Sequence, residues 1–358
     1  MIHDFLVIGG GLAGTGAAAR LSELGSVLLL EMEEALGYHA SGRSAAMFEE
    51  NYGPAPVCAL ARASAAHLQA QGCLSPRGFL LVGGPQNAEL FERDMKALAL
   101  DPVSGDEARA MVPILHPERV TMAGYHADAQ DLDADLLLQG FAKAARANGT
   151  EIKTRSAVSA IARTPQGWAV TTAGGVTHEA RQLANAAGAW ADQIAVLAGV
   201  APIGLQPKRR SMARLPAPGG NDVTSWPMIM GAGETWYAKP DAGKLLVSPA
   251  EADPVEPHDA YADDMVLAEG LARYEESVTE PVTRVESNWA GLRSFAPDGC
   301  LVLGPDPAHP GFIWSAGQGG YGVQTAPAAA QLIADLVADR QPELDPGDVA
   351  ALSPGRLR

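Results

Sequence analysis

The sequence predicts an α/β protein: a parallel sheet covered by helices, discontinuous in the chain, with a second domain of mixed sheet inserted into it. Three observations predict this. Near the start, an apolar run (residues 5–8) stops at Gly9-x-Gly11-x-x-Gly14, an alanine-rich helical segment follows, and a second apolar run (residues 27–30) ends in Glu31. Near the end, G-F-I-W-S-A-G-Q-G-G-Y-G-V-Q-T-A again reads as strand, glycine turn and helix. Between them, short strands and helices are punctuated by Pro and Gly turns.

In the first unit each glycine has a separate task. Gly9 allows the turn, Gly11 lets backbone approach a pyrophosphate, and Gly14 lets the helix lie close to the sheet. The helix start offers unpaired N–H groups and the positive end of its dipole, which favour phosphate oxygens. Glu31 stands 22 residues after Gly9, where a carboxylate can accept hydrogen bonds from both hydroxyls of an adenosine ribose and repel a 2′-phosphate. A glycine turn alone is a weak sign, but one flanked by two strands and a terminal acid points to a Rossmann-like dinucleotide site.

A chain of 358 residues can bury more than one core, so two domains are expected. The net charge of −16 argues against nucleic acid and anionic membrane surfaces as partners. Cys58, Cys73 and Cys300 lack metal-ligand spacing, and their odd number leaves one outside any disulfide scheme. A reduced, cytoplasmic setting without a bound metal is therefore expected. The first apolar run has no basic leader, so no signal peptide is expected, and no run approaches the roughly 18 apolar residues of a membrane span.

Residues 36–48, L-G-Y-H-A-S-G-R-S-A-A-M-F, are small and turn-forming around Arg43. Such a stretch is either a solvated loop or backbone that lies against a cofactor and offers it N–H donors and a charge. The order of motifs, glycine turn, acid-ended strand and then S-G-R-S-A, resembles the FAD-dependent D-amino acid oxidase and dehydrogenase superfamily. The resemblance implies a Rossmann-like FAD-binding domain with an inserted mixed-sheet substrate domain. It places Gly42, Arg43 and Ser44 at the pyrophosphate or flavin, and implies non-covalent FAD, since no cysteine or histidine stands at an attachment position.

Residues 54–72 read as a helix with Leu60, Ala63, Ala66, Leu68 and Ala70 for its apolar side and Gly72 as its stop. S-P-R-G-F-L-L-V-G-G then turns into a short strand, residues 91–98 read as helix, and Asp106 opens another helix that ends before Pro113. Residues 49–127 are thus expected to be the first part of the substrate domain. From residue 133 the chain returns to the cofactor domain with a helix capped by Asp133, bearing Leu136, Leu137, Phe141, Ala144 and Ala145, and stopped at Gly149. A strand over 151–154 follows, and the resemblance places the backbone at Ala157 and Val158 against adenine. Residues 168–185 alternate as strands around a Gly174-Gly175 hairpin turn. L-A-N-A-A-G-A-W-A-D, around Gly188, has the small side chains that let backbone touch a flat cofactor, and resembles an A-A-G-A-W element of the same superfamily.

Residues 201–287 are expected to complete the substrate domain. Lys208, Arg209 and Arg210 make either a solvated basic edge or part of a site. Trp236 and Tyr237 point to opposite faces if they lie on a strand, so one of them can face a cleft. Asp241-Ala242-Gly243 is a hairpin corner, and a helix is expected from about residue 261 to residue 277. In W-A-G-L-R-S-F, Arg293 sits between apolar neighbours, where its fork has to be paired by a substrate carboxylate or by an internal acid. The final helix, starting near Gly322, directs another positive end at the cofactor, suited to negative charge on a reduced flavin. The expected division is therefore 1–48, 128–200 and 288–358 for the FAD-binding domain, and 49–127 and 201–287 for the substrate domain.

The runs Y-H-A-S-G-R-S-A-A, L-Q-P-K-R-R-S, K-P-D-A-G, S-P-A-E-A-D-P-V-E, W-A-G-L-R-S-F and A-G-Q-G-G-Y-G-V-Q-T resemble in particular bacterial D-amino acid dehydrogenases of the D-arginine dehydrogenase type. That resemblance implies oxidative deamination of a D-amino acid to a 2-oxo acid and ammonia, with hydride passing from Cα to flavin N5 and no protein base strictly required. It places Arg293 on the substrate carboxylate, Arg210 as its second cationic partner, and Tyr52 and Tyr237 at the pocket walls. Met47, Phe79, Met228, Gly320 and Gln324 belong to the substrate pocket, and Gly319, Gly320, Tyr321 and Gly322 to the loop beside the flavin. Phe79 and Met47 replace an acid and a histidine of that type, which implies a preference for neutral or apolar side chains over D-arginine. Oxidation of a secondary amine and nicotinamide-linked chemistry remain alternatives, as do oxygen and a quinone for the electron acceptor.

Overall fold

The apolar run near the N-terminus becomes a central strand because both of its faces are covered. The structure, a computed structural model, describes residues 2–358. Ile2–Ile8 pairs in parallel with Val27–Leu30 on one side and Thr177–Asn185 on the other. Phe5, Val7 and Leu29 enter one core, and Leu6, Ile8, Leu28 and Leu30 another. Burial on both faces accounts for apolar strands without alternation. Glu151–Lys153 and Phe312–Ala316 extend the parallel pairing outward, and an antiparallel hairpin, Val158–Thr164 with Gly167–Thr172, together with Val302–Pro305, completes eight strands. Helix Leu12–Leu21 packs between Ala134–Ala147 and Gly322–Val337.

The second sheet also has eight strands, in the spatial order Ser287–Phe295, Gln206–Leu215, Lys244–Ser248, Tyr237–Asp241, Met228–Gly231, Phe79–Gly83, Met122–His126 and Asp101–Val103. Only Met228–Gly231 against Phe79–Gly83 is parallel, so the sheet is mixed. Its outermost strand, which takes in residues 288–295, pairs along its length with Gln206–Leu215. A third, small sheet joins Met47–Phe48, Gln130–Leu132 and Leu74–Pro76. Trp236 packs against Tyr274 in one core, while Tyr237 lies in another beside Phe79 and Met230. Ala242 and Gly243, both at positive φ, form the hairpin corner.

Local differences from the sequence reading have packing causes. Helix Ala55–Ala70 turns Val57, Leu60, Ala61, Ser64 and Leu68 inward and leaves Ala63, Ala66 and Ala70 exposed. Ala134–Ala147 is capped by Asp133, whose Oδ1 accepts the Leu136 N–H at 2.8 Å, but Leu136 and Ala144 face solvent while Leu138 and Ala142 are buried. In both helices alanine fits either environment, so periodicity reads their faces poorly. The expected helix at 261–277 is Asp264–Glu275, because Asp263 caps it by accepting from the Met265 and Val266 N–H groups.

The chain end is fastened by Asp306, which accepts from Trp314 Nε1 at 2.9 Å and Arg358 Nη2 at 2.5 Å. Burial works against its charge, but these donors and His309 outweigh it and hold the carboxyl well below its ordinary value. Its stabilising contribution is complete above the unfolded-state value near pH 4 and is lost as pH falls through the depressed folded-state value. Asp306→Asn is expected to cost about 2 kcal/mol at neutral pH. Thermal melts should show that difference shrinking as the solution is acidified below about pH 4.

Candidate active site

A cavity of about 410 Å³ reaches from the first glycine turn to Phe79, Met228 and Tyr237, lined from both large sheets. Gly9 (φ 109°) builds the turn, and a Cβ there would lie 2.3 Å from the Ala186 carbonyl oxygen. Gly9 and Gly11 line the cavity. Gly14 does not: a Cβ on it would meet the Gly9 carbonyl oxygen at 1.8 Å, so its bareness lets the helix seat on the turn. Gly11 precedes the helix without a side-chain cap, and the first helical turn carries no acid. Glu31 is buried at the cavity wall, accepting from the Gly10 N–H at 2.5 Å and the Glu33 N–H at 2.8 Å. Val158, with Ser156 and Ala157, and Gly188, in the 186–190 segment, line the same cavity.

The S-G-R-S segment is divided. Ser44 lines the cavity, but Gly42 lies behind it, donating to Gly37 O at 2.8 Å in a turn where a Cβ would sit 2.5 Å from that oxygen. Arg43 touches the wall, yet its charge is committed elsewhere: Nη2 pairs with Asp259 at 2.6 Å and Nη1 donates to Ala260 O and Ala290 O. It staples the loop to the second sheet through Ala290. Tyr321 is likewise set back, its ring packed edge-on against Tyr52 and Phe295, and burial together with nearby Tyr52 pushes its hydroxyl up to about 12. The cavity wall there is made by Gly319, Gly320 and Gly322.

At the other end, neighbouring strands bring two arginines together. Arg210 pairs with Gly291 and Lys208 with Arg293 across the ladder. Lys208 lies over the Phe295 ring and Arg209 meets Asp253, so of the basic run only Arg210 reaches the cavity. Arg293 Nη2 donates to the Tyr52 hydroxyl at 2.8 Å, and the Arg210 guanidinium lies over the Tyr237 ring. Between the two cations sits Glu234 Oε1, 2.8 Å from Arg210 Nη1, 3.5 Å from Arg293 Nη1 and 3.2 Å from the Tyr52 hydroxyl. The internal acid left open for Arg293 is therefore present. Burial opposes the Glu234 charge, but Arg210 and Arg293 outweigh it and hold the carboxyl below its ordinary value. Burial also opposes the Arg293 charge, which Tyr52, Glu234 and Tyr237 nevertheless hold above its own. A Cβ on Gly320 would lie 1.7 Å from Arg293 Nη2, so a side chain there would displace the guanidinium.

Phe79, Met47, Met228 and Met230 make an apolar wall beside this cluster. Gln324 is buried at its edge, accepting from the Glu49 N–H at 2.9 Å. Glu49 and Glu234 both line the cavity and neither was singled out from the sequence. Glu234 lies in a glycine-rich turn three residues before Tyr237, where the structure holds it at φ 52°; the sequence shows only an acid in a turn. Glu49 carries no signal either, because its partner His126 is 77 residues away.

The FAD dependent oxidoreductase (DAO) family model matches residues 4–336. The chain belongs to this family. A glycine oxidase from Bacillus licheniformis is 25% identical over 353 residues, covering 94% of this chain and 93% of that protein. FAD-dependent oxidoreductase domain-containing protein 1 from Bos taurus is 25% identical over 307 residues, 74% of this chain, and the match spans only 62% of the bovine protein. The crystal structure of glycine oxidase from Geobacillus kaustophilus superposes with a TM-score of 0.83 at 22% identity, covering 98% of both chains. As a DAO-family protein the chain uses FAD, and its cavity suits that group: a wall of Gly9, Gly10 and Gly11 that presents backbone without side chains, a buried acid at the strand end, and two helix starts without acids or side-chain caps. Among the described residues no helix is long and apolar enough to cross a membrane.

Proposed function

We propose that this protein oxidises free amino acids, D-amino acids with neutral or apolar side chains above others, to 2-oxo acids and ammonia. The reading is carried by one observation: Arg210, Arg293 and the Tyr52 hydroxyl converge on a single carboxylate oxygen, that of Glu234, beside an apolar wall. A cluster that takes a side-chain carboxylate can take a substrate's in the same way. FAD, when bound, accepts the two electrons that the substrate loses. Gly9, Gly11 and the first helix start would hold its diphosphate, Glu31 its ribose, the backbone at Val158 its adenine, and Ser44, Gly188 and the 319–322 glycines its flavin. Arg293 and Arg210 bind and orient the amino acid, while Met47, Phe79 and Met228 exclude water and receive its side chain. We assign residues 1–48, 128–200 and 296–358 to holding FAD and 49–127 and 201–295 to holding substrate.

D-Arginine fits poorly because the wall that receives the side chain, Met47, Phe79, Met228 and Met230, offers its guanidinium no acid. Glycine is the second reading, favoured by the full-length likeness to a glycine oxidase. The test is anaerobic titration of the yellow protein with D- and L-amino acids, glycine, sarcosine and L-proline. Bleaching by D-leucine, D-methionine or D-phenylalanine at lower concentration than D-arginine supports the proposal. Faster bleaching by glycine or sarcosine favours the second reading or a secondary-amine substrate, and a protein that stays yellow throughout refutes all three. Because an incoming carboxylate competes with Glu234, Glu234→Gln is expected to lower KM roughly fivefold with kcat changed less than about twofold. Steady-state kinetics checks this, and a raised KM would mean that Glu234 holds the arginines in place for the substrate.

A further inference from the structure

We infer that Glu49 and His126 form a proton-accepting pair for the substrate's amino group; this rests on the amino acid reading above. Three acids line the cavity. Glu31 is tied to the Gly10 and Glu33 N–H groups, and Glu234 to two guanidinium groups. Glu49 alone has an imidazole for its partner, with Oε2 2.6 Å from His126 Nδ1.

The placement suits the task. Glu49 follows the Met47–Phe48 strand, its N–H donates to Gln324 at 2.9 Å, and its Oε1 accepts the Asn51 N–H at 3.1 Å. Three residues on, Tyr52 meets Arg293. A zwitterion whose carboxylate is held by Arg293 and Tyr52 has its ammonium one carbon further along, inside the same cavity. His126 is the last residue of Met122–His126 and stands opposite Phe79 in the sheet. The Glu49 side chain is 6% exposed and that of His126 21%, so the pair runs from the buried cavity toward solvent. Burial holds the Glu49 carboxyl above its ordinary value against the opposing hydrogen bonds from His126 and Asn51, and neighbouring Glu50 adds to the rise. Behind it, on helix Ala55–Ala70, are Cys58, whose thiol is itself pushed up by burial, and Arg62, which reaches Asn51 at 3.4 Å.

The step moves one proton and no electrons. An N–H bond of the ammonium breaks and its electron pair stays on nitrogen. The proton bonds to the Glu49–His126 pair, whose charge rises by one, and leaves through His126. The neutral amine then has the lone pair that drives the oxidation.

The test uses Glu49→Gln and His126→Gln holoenzymes, with anaerobic stopped-flow reduction by D-leucine (or glycine, whichever bleaches the wild type faster) from about pH 6 to pH 10. Glu49→Gln is expected to be reduced at least about tenfold more slowly than wild type near pH 7. The gap should close near pH 10, where the free amine predominates without an acceptor. Benzoate, a carboxylate without an amine, should perturb the flavin spectrum of variant and wild type at similar concentrations. His126→Gln should shift the profile in the same direction with a smaller loss, and it decides alone if Glu49→Gln fails to retain FAD. A loss by the same factor at every pH, or no loss near pH 7, overturns the inference and leaves the amino acid reading standing. A wild type that no amino acid bleaches removes that reading and this inference with it.

Discussion

Replacing Arg293 by leucine is expected to lower kcat/KM for the preferred amino acid by about three orders of magnitude while the protein remains folded and yellow. Removing one member of a buried, hydrogen-bonded charge pair costs about 2–5 kcal/mol, and about 1.4 kcal/mol corresponds to tenfold. Leucine retains much of the volume, and Glu234 keeps its 2.8 Å pair with Arg210, so no acid is left wholly unpaired in the fold. The loss should shrink for an amine that lacks a carboxylate, because only the carboxylate needs the guanidinium. Steady-state kinetics with both substrate types, alongside the flavin spectrum, checks this. Undiminished turnover would move the substrate away from Arg293 altogether.

The parts of the molecule legible in the sequence are those whose signal is local. Gly9, Gly11, Gly14 and Glu31 lie within one strand-turn-helix-strand unit, and the same sterics that make Gly9 necessary fix the turn it occupies. Tyr237 and Trp236 could be assigned to opposite faces because a strand alternates, and they do enter different cores. What escaped was set by contacts distant in the chain. Arg43 pairs with Asp259, 216 residues away, which nothing in its own loop announces. Residues 288–295 look like a continuation of the C-terminal cofactor segment, yet their hydrogen bonds go to Gln206–Leu215. The strand Val158–Thr164 is legible only at its start, since Ser159, Ala160, Ala162 and Arg163 face outward and leave little apolar pattern to read. At the candidate site Met47, Phe79 and Met228 were reached through the family resemblance, and they line the cavity together. The occupant of the arginine pair was not legible, because an acid in a turn carries no mark of which cations it will meet.

Gly320→Ala separates the position of the Arg293 charge from its presence. The added methyl would lie 1.7 Å from Nη2, 2.5 Å from Cζ and 2.6 Å from Nε, so the whole guanidinium has to move. Gly320 is not among the positive-φ glycines, so alanine adds no backbone strain at this position. The change therefore acts through displacement of a charge that is still present. A displacement of about 1 Å in a substrate-orienting group costs roughly a hundredfold, and kcat/KM is expected to fall by about that factor with FAD retained. Residues acting through one interaction are non-additive, so the Gly320→Ala/Arg293→Leu double variant should be no slower than Arg293→Leu alone. Full activity in Gly320→Ala would mean that the guanidinium has room to retreat without losing the substrate. Losses that multiply in the double variant would mean that Gly320 serves the cofactor directly, through its backbone, and independently of the arginine.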